Sequence, residues 1–347
     1  MWRRIPRRLI VPVMLRRSTG VSVPYEIDFT ELEDGALPDD WTALDTWAID
    51  TGALLCTPVT LGDEMLSDPG LEGTYTSGLN AMLTKNAASS CTEENADVHG
   101  GSKAQKCEPT SNAYLYISGG VPGVVSGGFY LISQWAKKVS GAGTTRIYIS
   151  SGGDNAYNQC QPNISGDWAQ YLTARIAVNS IGWQPVHDLA SGTDAVIVDD
   201  LSCKALAAAE VLALIQSDQS NVNVKAGFTI AEHKYMAGVV ARANDTSEPT
   251  SYLLGVIYIS QTTSTRAILY KVVDGTVTYL ESGYITKAAG KLLEIRCSGS
   301  TVQLFYNGSQ VGSDQTVEDA EILNNKIHGV MSVGGGNSLD SFFLDLP

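Results

Sequence analysis

Residues 268–312 read ILYKVVDGTVTYLESGYITKAAGKLLEIRCSGSTVQLFYNGSQVG. Asp274-Gly275 lies between the alternating runs 268–273 and 276–280, and Asn307-Gly308 lies between 302–306 and 309–312. Both dipeptides accept the left-handed backbone of a two-residue hairpin turn, and alternation on either side is the mark of half-buried strands. The whole of 221–347 therefore reads as an antiparallel meander. Working outward, apolar residues elsewhere alternate or form short runs between Gly, Asn, Asp and Ser. Only 204–216, KALAAAEVLALIQ, has helix-forming composition, and a helix is predicted there.

The chain has 347 residues, of which 44% are apolar and only 17% charged, with 34 Gly and 15 Tyr. That length supports two domains with cores of their own, and the composition favours strands and tight turns. No run approaches the roughly 18 apolar residues of a membrane span. The formal charge of −14 is unevenly distributed, because residues 1–24 hold Arg3, Arg4, Arg7, Arg8, Arg16 and Arg17 and no acid. Without those six of the 23 basic residues, 17 face 37 acids, a balance of −20. An acidic body repels nucleic acid and anionic membranes, so neither is expected as a partner. The stretch 9–15, LIVPVML, is short, contains Pro12 and is followed by Arg16-Arg17, which is poor material for a secretory signal. Arginine pairs spaced by Ile5, Leu9, Val11 and Val13 instead suit an extended arm that docks on another protein subunit.

Six cysteines, Cys56, Cys91, Cys107, Cys160, Cys203 and Cys297, form no C-x-x-C pair, which argues against zinc. Cys91 and Cys107 bracket a polar, Gly-containing loop, so they form either a disulfide that closes it or two separate thiols.

Two resemblances organise the rest. The opening DFTELEDGALPDDW and TWAIDTGALL, together with AGVVARAND, LYKVVDGTVTYL, LFYNGSQVGS and the closing HGVMSVGGGNSLDSFFLDL, resemble the strands of a laminin-G-like or concanavalin-like jelly roll. Residues 61–206 are similar to a carbohydrate-binding module of the galactose-binding-like type. Ser67-Asp68-Pro69-Gly70-Leu71-Glu72 echoes that family's opening Asn-Pro-Gly-Phe-Glu motif, with Asp68 and Leu71 as departures. Strand FYLISQWAKK, the segment 167–171 and the closing 196–201 fit the same pattern. The expected fold class is all-β: two antiparallel jelly-roll sandwiches, one inserted in the other, behind an extended basic arm. Its boundaries are 1–24 for the arm, 25–60 with 207–347 for the split sandwich, and 61–206 for the insert. This split layout behind a WRRIPRRLIVP arm also resembles structural proteins of tailed-phage virions.

Glu26-Ile27-Asp28-Phe29-Thr30-Glu31 matches the E-x-D-x-x-E signature of concanavalin-like endoglucanases, in which two glutamates act as nucleophile and general acid. Here the string opens the first strand of a domain, and a strand with Ile27 and Phe29 inward and acids outward explains the same letters. The four histidines, His99, His187, His233 and His328, suggest no partner by spacing. No enzyme is expected. The module resemblance implies a structural calcium ion on Glu72 and on Asp199 or Asp200, all hard oxygen donors; capped turns explain them equally. Tyr157, Trp183, Asn155, Asn158 and Gln184 fall in polar, loop-like stretches and could stack on and bond a sugar. Trp135 and Trp168 sit in strand patterns and are expected in the core.

The sequence thus reads as a non-enzymatic virion surface protein, a capsid decoration or a tail-associated fibre or spike. Its expected partners are virion subunits, copies of itself and a host-surface glycan. The alternative is a secreted bacterial glycan-binding protein or an accessory module of a glycoside hydrolase.

Overall fold

The computed structural model describes residues 20–43, 47–56, 61–86, 89–109, 114–141, 145–152, 164–188, 194–229, 236–258, 264–333 and 337–347. Over these residues the chain is all-β and forms two antiparallel sandwiches. The first pairs an eight-stranded with a seven-stranded sheet, and its strands come from 25–56 and 212–345. The second pairs a six-stranded with a four-stranded sheet, all from 61–206.

The two hairpin turns stand where the dipeptides placed them. Ser264–Val273 pairs with Thr276–Thr286 through Asp274 and Gly275, at φ +47° and +77°. Thr301–Tyr306 pairs with Ser309–Thr316 through Asn307 and Gly308, at φ +49° and +78°. Two successive positive φ values match the right-handed twist of the flanking strands, which fixes register locally.

Two strands of the seven-stranded sheet, Met236–Ala243 and Tyr252–Tyr258, are buried at every position. Alternation fails there because both faces are covered. One face meets the eight-stranded sheet. On the other lies the second sandwich, whose Phe129, Ile176 and Val178 join the core of the first. Arg175 puts its guanidinium 4.2 Å over the Tyr258 ring, and Val277 N–H donates to Ser126 Oγ at 3.0 Å.

The helix expected over 204–216 does not form. Ala195–Leu206 is a long strand of the six-stranded sheet, Ala208–Val211 makes one 3-10 turn, and Leu212–Gln216 is a strand of the seven-stranded sheet. Leu212, Ala213, Leu214 and Ile215 are buried between Ile327–Ser332 and Trp41–Thr42. Non-local pairing of four consecutive buried residues outweighs an intrinsic helix preference of a few tenths of a kcal/mol each.

The arm expected over 1–24 also needs correction at its end. Val21 N–H donates to Gln216 O at 2.8 Å, Asp218 N–H donates to Val21 O at 2.9 Å, and Val21 and Val23 pack on the first core. Residues 20–24 therefore lie on the chain's own sandwich. Arg3, Arg4, Arg7, Arg8, Arg16 and Arg17 lie outside the described residues. Among the described residues no helix is long and apolar enough to cross a membrane.

Cys91 and Cys107 are direct partners on Ser89–Glu94 and Ala104–Pro109, with their Sγ atoms 3.6 Å apart. The hydrogen bond with Cys107 draws the Cys91 thiol below its usual range despite burial. Glutathione disulfide should oxidise this pair, with two protons and two electrons leaving the thiols. Closing a loop of this length should stabilise the fold by about 3 kcal/mol. Thiol counts and melting curves with and without Cys91→Ser check this; an unchanged thiol count contradicts it.

His328 is wholly buried, receives Arg242 N–H at Nδ1 (3.4 Å) and turns Nε2 to Gln219 O (3.2 Å), the arrangement of a neutral imidazole. Burial, reinforced by the Arg242 charge, pushes it down from 6.5 to about 4. The folded value is depressed, so this contribution is full above the unfolded value and is lost as pH falls towards 4, by about 3 kcal/mol. Urea melts at pH 7 and pH 4 should show that loss, and His328→Gln should remove most of it. Equal pH slopes in the two proteins contradict the assignment.

Candidate functional site

The four-stranded sheet runs in the order Thr145–Gly152, Ser180–Asp188, Tyr114–Ile117, Leu83–Lys85. Its strands alternate. Leu115, Ile117, Ile147, Ile149, Ile181 and Trp183 point into the second core. Tyr114, Tyr116, Arg146, Tyr148, Ser150, Gly182 and Gln184 are half-buried on the opposite, outward face. A register shift pairs Arg146 with His187 and Tyr148 with Gln184, which brings His187 to that face as well.

The outward residues form an aromatic strip. His187 lies nearly parallel to Tyr114 (5.9 Å, 10°) and to Tyr148 (5.4 Å, 23°), and Tyr116 is tilted against Tyr114 at 5.7 Å. Gln184 Oε1 is hydrogen-bonded to His187 Nδ1; an amide oxygen only accepts, so Nδ1 carries the proton. Beside the strip a cleft of about 390 Å³ is lined by Tyr116, Gly119, Gly120, Ser150, Gly182 and Gln184. A Cβ at Gly182 would lie 2.7 Å from Ser150 Oγ, so the bare glycine keeps the cleft floor at backbone level. Aromatic faces beside amide and hydroxyl groups suit a ligand with both C–H faces and hydroxyls.

Of the residues read from sequence as sugar-binding, Gln184 lies on this face. Trp183 does not. It is 1% exposed on a strand and not in a loop, and its indole N–H donates inward to Gln134 Oε1 at 3.1 Å. The parity of the strand forces this, since the neighbour of an outward Gln184 points inward. Tyr157, Asn155 and Asn158 lie outside the described residues. Tyr114, Tyr116, Tyr148 and His187 were missed, although Y-L-Y at 114–116 and R-I-Y-I-S at 146–150 alternate visibly.

Trp135 and Trp168 are not core residues. Both are half-buried on the outer surface of the second sandwich, where His99 stacks on Trp135 at 3.8 Å and Trp168 Nε1 donates to Asp97 Oδ1 at 3.1 Å. Lys137, 2.7 Å from Asp97 Oδ2, holds that carboxyl below its usual range.

Glu72, Asp199 and Asp200 converge on the loop 98–103. Glu72 Oε1 accepts Ser102 N–H (2.7 Å) and Lys103 N–H (2.9 Å) and Oε2 accepts Ser102 Oγ, which together lower its pKa. Asp199 Oδ2 accepts His99 N–H (2.9 Å) and Gly100 N–H (3.1 Å), yet burial raises its pKa. Asp200 Oδ2 lies 2.6 Å from His99 Nδ1. These are hard oxygen donors around one loop, with several oxygens turned to N–H groups. No group of three metal-ligating side chains gathers among the described residues.

The Glu26–Glu31 string spans the end of a strand and a 3-10 turn. Tyr25–Asp28 ends where Asp28 Oδ1 caps a 3-10 turn by accepting Thr30 N–H at 2.9 Å, and Glu26 and Asp28 are exposed while Phe29 is buried. A second cleft, of about 330 Å³, lies between Thr276–Thr286 and Ser309–Thr316 beside Tyr284, which is 73% exposed. It has one exposed ring, against a strip of four on the second sandwich.

No family model matches the chain, and no curated protein matches it. Among solved structures, the chain is similar to the CBM22-1 xylan-binding domain of Xyn10C from Paenibacillus barcinonensis (14% identity, 44% of this chain and 99% of that one, TM-score 0.34). It is also similar to SCLam, a non-specific endo-β-1,3(4)-glucanase of family GH16 (10% identity, 94% and 96%, TM-score 0.30). A third is a legume lectin-like domain from Entamoeba histolytica (9% identity, 92% and 98%, TM-score 0.27). Scores this low carry no conclusion about ligand or activity.

Proposed function

We propose that the protein is a non-enzymatic glycan-binding protein whose ligand lies on the outward face of the four-stranded sheet. The observation that carries this reading is the strip of Tyr114, Tyr116, Tyr148 and His187 beside a cleft floored by Gly182. Sugar rings present apolar C–H faces to aromatic planes, while Gln184 and Ser150 offer partners for their hydroxyls. The strip is already packed in position, so little side-chain entropy is lost on binding.

The basic segment 1–24 supports a tether that displays this face from a larger particle, the virion-surface reading, and this part stands on the sequence alone. The secreted alternative uses the same face without a tether. The residues present do not fit the structural calcium ion: among the described residues Glu72, Asp199 and Asp200 form no three-ligand group, and the oxygens of Glu72 and Asp199 hold the loop 98–103 by accepting its N–H groups instead.

Full-length protein titrated against a panel of neutral and acidic polysaccharides should bind at least one. Tyr116→Ala should weaken that binding at least 10-fold, or about 1.4 kcal/mol, with an unchanged melting curve. An Ala variant that binds as well as the parent contradicts the assignment of the site.

A further inference from the structure

The protein carries −14 overall with histidine neutral, yet the outward face of the four-stranded sheet holds the cation Arg146; Lys85, in register with buried Leu115, belongs to the inward side. Arg146 sits on the outward face, half-buried, directly opposite His187. It stays cationic at neutral pH whatever its surroundings. Four residues separate it from Ser150 in the cleft, about 13 Å along the strand, with Tyr148 between them. The face therefore has an order: an uncharged cleft at one end, aromatic rings in the middle and a guanidinium at the other end.

We infer that the site selects a glycan carrying uronic acid, with a sugar carboxylate on Arg146 and neighbouring rings stacked across Tyr148, His187 and Tyr114. This rests on the glycan-binding reading and names its ligand class. A guanidinium offers two parallel N–H donors that match a carboxylate, and partial burial beside aromatic rings strengthens the pair over one in open water. The acidic body repels a polyanion, whereas the six arginines of 1–24 attract one without selecting its rings, so the Arg146 variants separate the two contributions. Single-stranded nucleic acid also stacks on aromatic side chains, but its affinity comes from several phosphate contacts. Among the described residues of the strip Arg146 is the one permanent cation, and one is too few to supply them.

The test is calorimetric titration of the full chain with polygalacturonate, alginate and hyaluronan, each beside its carboxyl-reduced counterpart, with neutral xylan and a thymidine oligonucleotide included. At least one uronate polymer should bind 10-fold or more tighter than its reduced form. Arg146→Gln should bring the two together, Arg146→Lys should restore part of the difference, and Lys204→Gln on the six-stranded sheet should leave it intact. Because the arginines of 1–24 also attract the acid polymer, the difference counts only if it depends on the strip; if Arg146→Gln fails to fold, Tyr148→Ala serves in its place and should likewise reduce the difference. Equal affinity for both forms, binding to xylan alone, or tighter binding of the oligonucleotide overturns the inference. Tyr116-dependent binding to a neutral polymer alone would leave the glycan-binding reading in place and sink this one. Binding to nothing in the panel sinks both.

Discussion

Arg175 is wholly buried, and its guanidinium joins the six-, four- and seven-stranded sheets. It belongs to a strand of the six-stranded sheet, donates through Nη2 to Ile149 O of the four-stranded sheet at 2.7 Å, and covers Tyr258 of the seven-stranded sheet. A buried guanidinium is tolerated where a hydrogen bond, a ring face and fixed surroundings offset its lost hydration. Phe129, Ile176 and Val178 fix them by closing the seam between the sandwiches with apolar surface. This seam covers the outer face of the seven-stranded sheet and lies away from the outward face of the four-stranded sheet. The location of the binding strip is thus a consequence of how the sandwiches are joined.

Within the second sandwich, strand parity divides labour among neighbours. Each buried Leu115, Ile147, Ile149 or Ile181 commits the residues beside it to the outward face, where Tyr114, Tyr116, Tyr148 and Gln184 stand. The acids of this sandwich do other work. Glu72 and Asp199 hold loop N–H groups, Asp68 accepts Glu72 N–H and Gly73 N–H, and Asp97 joins Trp168 to Lys137. None of these carboxylates lies on the strip.

The hairpins at Asp274-Gly275 and Asn307-Gly308 were legible because turn chemistry is local. The all-β class followed from the same alternation. The segment 204–216 was not legible as strand, since its burial depends on Ile327–Ser332, more than a hundred residues away. Trp183 looked like a loop residue because polar neighbours masked the alternation, and Trp135 looked like core because an outward indole covered by His99 has the sequence signature of an inward one. The tyrosines at 114, 116 and 148 were readable from alternation. His187 was not, because a register shift in the ladder turns it to the strip, and bulges leave no mark in composition.

Hydrogen–deuterium exchange of the full chain, with and without a saturating glycan, tests the site most directly. Ligand should slow exchange in 114–117, 145–152 and 180–188, on the strands that carry the strip, and leave 276–286 and 309–316 unchanged. Protection confined to the edge strands beside Tyr284, with none on the four-stranded sheet, would place the ligand on the other sandwich and contradict the assignment.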